Sequence, residues 1–189
     1  MGDTPTREAV VPRLRGRFGR EYLYAASTPS TQRLLDADAP EGTVAVADEQ
    51  TAGRGRLGRR WEAPGGTSVL CSVQLRPKVK ASRFPELTAL GAQACADAIR
   101  SVTGLEPTLK HPNDVLIGGR KVAGILGESD PQRVVLGIGI NANVPAEELP
   151  EEVRIPATSL LVETGGPVDR VELVVELLAA LERRYDAWS

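Results

Sequence analysis

Apolar residues along the chain follow two repeats, one of two residues and one of about 3.6, and the changes between them mark out strands and helices. Glu21 to Ser27, Thr43 to Asp48 and Ser68 to Leu75 are short runs rich in Val, Ala, Leu and Tyr, bounded by polar residues, Gly or Pro, which predicts strands. Leu109 to Leu116 and Arg120 to Leu126 flank Gly118-Gly119, the turn chemistry of a hairpin, and Val134 to Asn143 follows as a further strand. Arg83 to Thr103 instead repeats apolar residues at Leu87, Leu90, Ala94, Ala98 and Val102, with Pro85 near its start and Gly104 after its end, the pattern of an amphipathic core helix. A second helix closes the chain, with one face traced by Val171, Val174, Leu178, Leu181 and Tyr185 and a capping box from Asp169 and Glu172. The hydroxyls of Ser27 to Thr31 around Pro29 suit the start of a helix through Leu35, residues 144 to 157 read as loop, and residues 1 to 20, polar and Arg-rich, as a leader or surface helix. Without repeats or a linker, the pattern predicts one α+β domain over residues 21 to 189, a mixed, largely antiparallel sheet with helices packed on one side.

Composition narrows the function classes. With 189 residues, 41% hydrophobic and 25% charged, the chain can bury a proper core and resembles folded, soluble proteins. A formal net charge of −2 argues against bulk attraction to nucleic acid, although Arg13, Arg15, Arg17 and Arg20 cluster near the start. Cys71 and Cys95 lie in apolar stretches and read as small buried hydrophobes, and with a single histidine they cannot build a zinc cage. No apolar run is long enough to span a bilayer, so a cytoplasmic protein that binds neither membrane nor DNA is expected.

The most informative stretch runs from Asp48 to Trp61. It contains Gly53-Arg54-Gly55-Arg56-Leu57-Gly58-Arg59-Arg60-Trp61, four arginines and three glycines between two predicted strands. Glycine allows a backbone to approach a ligand closely, and arginine offers a planar fork of donors for carboxylate or phosphate. Connections of this length inside a domain are usually functional or disordered. Of only four lysines, Lys78, Lys80, Lys110 and Lys121, the last two sit in motif-like sequence: Lys110-His111-Pro112-Asn113-Asp114 and Arg120-Lys121-Val122-Ala123-Gly124-Ile125-Leu126. In Val134 to Asn143, Gly137 and Gly139 share one face and Ile138 and Ile140 the other, so one side is bare backbone against which a ligand could lie; a bulge or a tight packing contact is the alternative.

Taken in order, the Gly-Arg loop preceded by Glu49-Gln50-Thr51-Ala52, the Lys-His-Pro-Asn-Asp run, the Arg-Lys-Val-Ala-Gly-Ile-Leu run and Gly137-Ile138-Gly139-Ile140-Asn141 resemble the motifs of biotin protein ligases, over most of residues 22 to 160. That resemblance implies the biotin ligase catalytic fold, related to class II aminoacyl-tRNA synthetases, and a two-step reaction. Biotin and ATP give biotinoyl-5′-AMP and pyrophosphate, and the acyl group then passes to one lysine of a biotin carboxyl carrier domain.

The resemblance also implies site residues. A Ser-Thr-Asn triplet that holds biotin's ureido end maps to Ser27, Thr28 and Pro29, the last departing from the family's asparagine. Gln50, Gly53 and Gly55 from the loop, with Gly124, Gly137 and Ile140 from the later strands, complete the biotin slot. Lys121, Arg54 and Arg56 are the cations that bring carboxylate and phosphate together, and they contact both substrates. Trp61, Lys110, Asn113, Asn141 and Asn143 are assigned to ATP, and Asp114 to Mg²⁺. His111 stands where the family usually has tryptophan and is expected to fill the same packing site.

Because a mixed anhydride is destroyed by water, residues 51 to 64 are expected to be poorly ordered without ligand and to fold over biotin, with Trp61 closing the lid. One difficulty is parity: in a regular strand Lys121 and Gly124 point to opposite faces. The N-terminal stretch is expected to be too short for a DNA-binding domain, and a C-terminal SH3-like barrel is expected to be absent. Exposed sheet edges make either a monomer or a homodimer compatible with the sequence. The rival readings are a lipoate ligase or octanoyltransferase of the same fold, and a non-catalytic anion- or nucleic-acid-binding module.

Overall fold

The computed structural model describes residues 3–150 and 154–189. Seven strands, β1 (Tyr22–Thr28), β2 (Val44–Gln50), β3 (Val69–Leu75), β4 (Thr108–Lys110), β5 (Asp114–Ile117), β6 (Arg120–Asp130) and β7 (Arg133–Ile140), form one sheet in the order β1-β2-β3-β7-β6-β5-β4. Only β1 and β2 run parallel; the other neighbours are antiparallel. The helices are α1 (Arg7–Val10), α2 (Glu86–Thr103), α3 (Leu160–Thr164) and α4 (Arg170–Trp188). The fold class read from periodicity is therefore the fold observed.

Alternating residues of the strands meet α2 and α4 on one face of the sheet, where Ile125, Leu136 and Ile138 join Leu87, Leu177 and Leu181 in the main core. α2 crosses close enough that a methyl group on Gly91 would lie 3.3 Å from Ile125 Cγ2. The opposite face carries a smaller cluster, Leu35, Ala45 and Val135, under a single 3₁₀ turn at Thr31–Leu34. That turn replaces the longer helix expected through Leu35; Ser30, at its cap position, makes no capping bond with its side chain.

Three other expectations change. Residues 3–20 pack onto the domain: Val10 and Phe18 are buried in the main core, and Arg13 and Arg17 pair with acidic residues of α4. Sparse apolar residues in a polar stretch gave no period to read, yet two suffice to dock it. The loop expected over residues 144–157 lies partly outside the described residues and is followed by α3, whose cap Ser159 accepts from the Val162 amide. Asp169 caps α4 through the amides of Val171 and Glu172, while Glu172 turns its carboxylate to Arg13.

Candidate active site

The face opposite α2 and α4 is organised in transverse rungs across the strands. The first runs Leu70, Gly139, Gly124, Asp114; the second Ser72, Gly137, Leu126; the third Gln74, Val135, Glu128. Above the first two lies a cavity of about 590 Å³, within the range of small-molecule sites.

Lys121 reaches this face because β6 bulges. Asp114 pairs with Gly124 and Val115 with Ala123, but Leu116 pairs with Lys121, so β6 carries one extra residue at Val122. An extra residue inverts the alternation beyond it and brings Lys121 to the side of Gly124, which resolves the parity conflict. The bulged backbone is held by a parallel bridge: Lys121 N–H donates to Pro156 O at 2.7 Å, and Thr158 N–H to Lys121 O at 2.9 Å. Lys121 Nζ lies 2.6 Å from Asp114 Oδ1, a charge contact outside hydrogen-bonding alignment, and 5.8 Å from the Trp61 ring centroid.

The Gly-Arg loop forms a hydrogen-bonded ribbon over the cavity. Gly55 N–H donates to Arg59 O at 2.7 Å and Trp61 N–H to Gly53 O at 3.1 Å, which pairs the two limbs. At the tip Leu57 takes φ +59° and is 84% exposed. Arg56 Nη1 donates to Asn113 Oδ1 at 3.0 Å, and Asn113 is itself fixed to β6 through Ile125 O and N–H. Arg54 turns the other way, to Gln32 and Glu128. Trp61 settles on the glycines: a methyl group on Gly139 would lie 2.6 Å from indole Cε2, and one on Gly124 3.0 Å from Cζ3. Gln32 covers Gly137 in the same way. The glycine-lined side, expected to be open to ligand, is thus roofed by two side chains. The Trp61 indole N–H is buried without an acceptor among the described residues.

A polar chain closes one end of the cavity. Thr31 N–H and Oγ1 both donate to Gln50 Oε1, at 2.8 and 3.1 Å, and Thr31 Oγ1 lies 2.7 Å from Ser72 Oγ. With the Thr31 proton directed to Gln50, Ser72 is the donor to Thr31.

The structure brings Gln50, Arg54, Gly55, Arg56, Trp61, Lys110, Asn113, Asp114, Lys121, Gly124, Gly137 and Asn141 to this cavity. It does not bring the other expected residues there. Ser27 and Pro29 are exposed and Thr28 ends β1; the residues lining the cavity are Ser30, Thr31 and Gln32. The sequence holds two Ser-Thr pairs in succession, and only the second is followed by an amide, the signal that would have chosen it. Ile140, 0% exposed, belongs to the helix-side core by alternation, so Gly139 takes its place. Gly53 is at the neck of the ribbon, against Trp61 O. Asn143 spends its amide on Val168 and Asp3, away from the cavity. His111, expected to fill the packing site of the family's tryptophan, is exposed and lines the cavity rim.

Among the described residues no three His, Cys, Asp or Glu side chains gather as a metal cage. Asp114 offers one carboxylate beside Lys121, a donor set suited to a Mg²⁺ ion borne mainly by nucleotide phosphates. Cys71 adjoins the cavity but is buried, and burial pushes its thiol up to about 12, so it stays protonated and is no nucleophile.

The sequence profile of the biotin/lipoate A/B protein ligase family matches residues 24–144. A biotin--[acetyl-CoA-carboxylase] ligase of Mycobacterium tuberculosis is 38% identical over 182 residues, 92% of this chain and 67% of that protein. The bifunctional ligase/repressor BirA of Bacillus subtilis is 39% identical over 177 residues, 89% of this chain; the chain spans 54% of that relative's length. Among solved structures, the biotin protein ligase of Aquifex aeolicus in complex with biotin and ATP superposes with a TM-score of 0.80 at 33% identity, over 89% of this chain and 72% of that one.

Proposed function

Since the chain belongs to the biotin/lipoate A/B protein ligase family, we propose that it is a biotin protein ligase, joining biotin to ATP and passing the acyl group to a lysine of a biotin carboxyl carrier domain. The observation that carries this reading is Lys121, brought by the bulge of β6 onto the glycine-lined face and standing 2.6 Å from Asp114.

In the first step a biotin carboxylate oxygen attacks the α-phosphorus, a P–O bond forms, and pyrophosphate leaves. Two anions must approach, and their repulsion is relieved only by cations fixed before the reaction begins. Lys121 is fixed by the parallel bridge at its backbone and by Asp114 at its ammonium; Arg56 is fixed by Asn113. Both are cations for the shared phosphate region, with Lys110 at the rim. The free indole N–H of Trp61 is a donor for an acyl or carboxylate oxygen lodged beside it. The substrate is MgATP; its Mg²⁺ would neutralise the leaving pyrophosphate, with Asp114 as the protein's contact. Ser30, Thr31 and Gln50 supply the polar end for the ureido ring.

In the second step the neutral amine of an acceptor lysine attacks the acyl carbon, a C–N bond forms, and AMP departs. No enzyme nucleophile is needed, which agrees with a protonated Cys71. The Gly-Arg ribbon keeps water from the anhydride between the steps, opening to admit substrate and closing over it. Pairing of Arg13 and Arg17 with α4 leaves fewer free cations for nucleic acid, which weakens the anion-binding module as a rival. The reading assigns the enzyme to the cytoplasm, where ATP and carboxylase carriers are; no helix among the described residues is long and apolar enough to cross a membrane.

Incubation with MgATP and either biotin or lipoate, read by pyrophosphate release with Lys121→Ala alongside, tests the proposal. Release with biotin, lost in the variant, is expected; release with lipoate alone would make it a lipoate ligase.

A further inference from the structure

The two loop arginines have different surroundings. Arg56 reaches Asn113 beside Asp114, whereas Arg54 Nη2 lies 2.6 Å from Glu128 Oε2 and 3.0 Å from Gln32 Oε1. Glu128 ends the third rung, on the same face as Gly124 and Leu126 but two rungs removed from the Lys121–Asp114 pair. Its carboxylate makes no other ion pair or hydrogen bond among the described residues. Gln32 is fixed in turn by donating to Leu126 O at 3.3 Å and by lying over Gly137. The charge of Arg54 is thus neutralised away from the Lys121–Asp114 pair, and what its contacts do is tie one limb of the ribbon to β6.

We propose that Glu128 is a positioning residue, the catch that holds the Gly-Arg ribbon shut over the acyl-adenylate, with Arg54 as the latch and Gln32 as a second hold. This rests on the two-step reaction proposed above. The exposure of the pair suits a gate that must open in every turnover: with both side chains 41% exposed, such a contact shifts an opening equilibrium only a few-fold. A buried pair would hold the ribbon too firmly to release product, and an absent one would let water reach the anhydride.

The test compares wild type with Glu128→Gln, Arg54→Glu and the charge-exchanged double variant Arg54→Glu/Glu128→Arg. Two quantities are read: amide hydrogen exchange of residues 53–61, and, without acceptor, the rate at which biotin and ATP yield free AMP through escape of the adenylate. In Glu128→Gln both should rise about two- to fivefold, while biotin-dependent ATP–pyrophosphate exchange at saturation stays within about twofold. The double variant should return both towards wild type. Unchanged amide exchange in Glu128→Gln, or a double variant no better than Arg54→Glu alone, would overturn the latch. A wild type that makes no adenylate, with the amide exchange altered as described, would overturn the ligase reading and leave the latch standing.

Discussion

On one face of the sheet Ile125, Leu136 and Ile138 lie under α2, which packs in turn on α4; on the other Gly124, Gly137 and Gly139 lie under Trp61 and Gln32. Both faces are covered, but by different means. The helical cover is continuous and apolar, so its strength is spread over many interchangeable contacts. The ribbon's cover hangs on a few directed ones: Arg56 to Asn113, Arg54 to Glu128 and Gln32, and an indole on two glycines. The first kind of cover holds a shape, and the second can be undone contact by contact. Substitutions on the two faces should therefore separate stability from activity.

The largest effect is expected from Lys121→Ala, which removes a preorganised cation. Biotin-dependent ATP–pyrophosphate exchange should fall by about 10²- to 10³-fold, with the thermal midpoint nearly unchanged because the side chain belongs to the ligand face. Calorimetry and exchange kinetics on one preparation check both halves. A fall in midpoint matching the fall in rate would erase the contrast between the faces.

Leu177→Ala, in the core under α4, should do the reverse. Truncating a fully buried leucine costs about 2–5 kcal/mol, enough to lower the midpoint of a chain this size by roughly 4–20 °C. Turnover per folded molecule should stay within about threefold, measured well below that midpoint.

The same contrast governs what the sequence made legible. On the helix-covered face, burial alone repeats at the period of the element, so the spacing of Leu87 to Val102 and of Val171 to Tyr185 located both helices and the fold class. On the ligand face position depends on long-range contacts that leave no local period. The loop's composition raised the expectation of an anion site, yet nothing local said that Arg54 would turn to Glu128, seventy-four residues away. The Ser-Thr pair expected at the cavity, Ser27-Thr28, precedes by three residues the pair that the tertiary fold sets there, Ser30-Thr31, whose following amide, Gln32, was the local signal passed over. The glycines of β7 were recognised as a bare surface, but their occupant, Trp61, comes from another strand connection. The conflict between Lys121 and Gly124 was itself legible, as a demand for a bulge or a twist; the strand has the bulge, at Val122.

Gly139→Ala sharpens the comparison at a single methyl group. Built on the backbone, it would sit 2.6 Å from the Trp61 ring, so the indole must leave its seat. If the indole covers the ligand, biotin affinity should weaken about tenfold, the scale of a modest overpacking cost, with the midpoint little changed. Titration calorimetry decides. Unchanged or tighter binding would mean that the indole obstructs the slot instead of roofing it.

The smallest effect concerns a contact that joins the two faces. Arg170, 2% exposed at the start of α4, donates to Asp48 at the end of β2, two residues before Gln50, and to Asp3 at the N-terminal end of the described chain. The hydrogen bonds from Arg170 hold the Asp3 carboxyl below its ordinary value. The unfolded chain therefore binds that proton more readily than the folded one, and stability rises with pH through this window. The contribution is complete above the ordinary carboxylate value and is lost as pH falls through the lowered one. Asp3→Asn should therefore lower the midpoint at neutral pH, by only about 1–3 °C since Asp3 is largely solvated, and this difference should close as pH falls from about 5 to about 3. Exchange of the ribbon amides should not follow it, because Arg54 and Arg56 find their partners on β6 and in the turn before β5, not on α4. A variant whose deficit stayed constant with pH would show that Asp3 acts through packing rather than through its charge on Arg170.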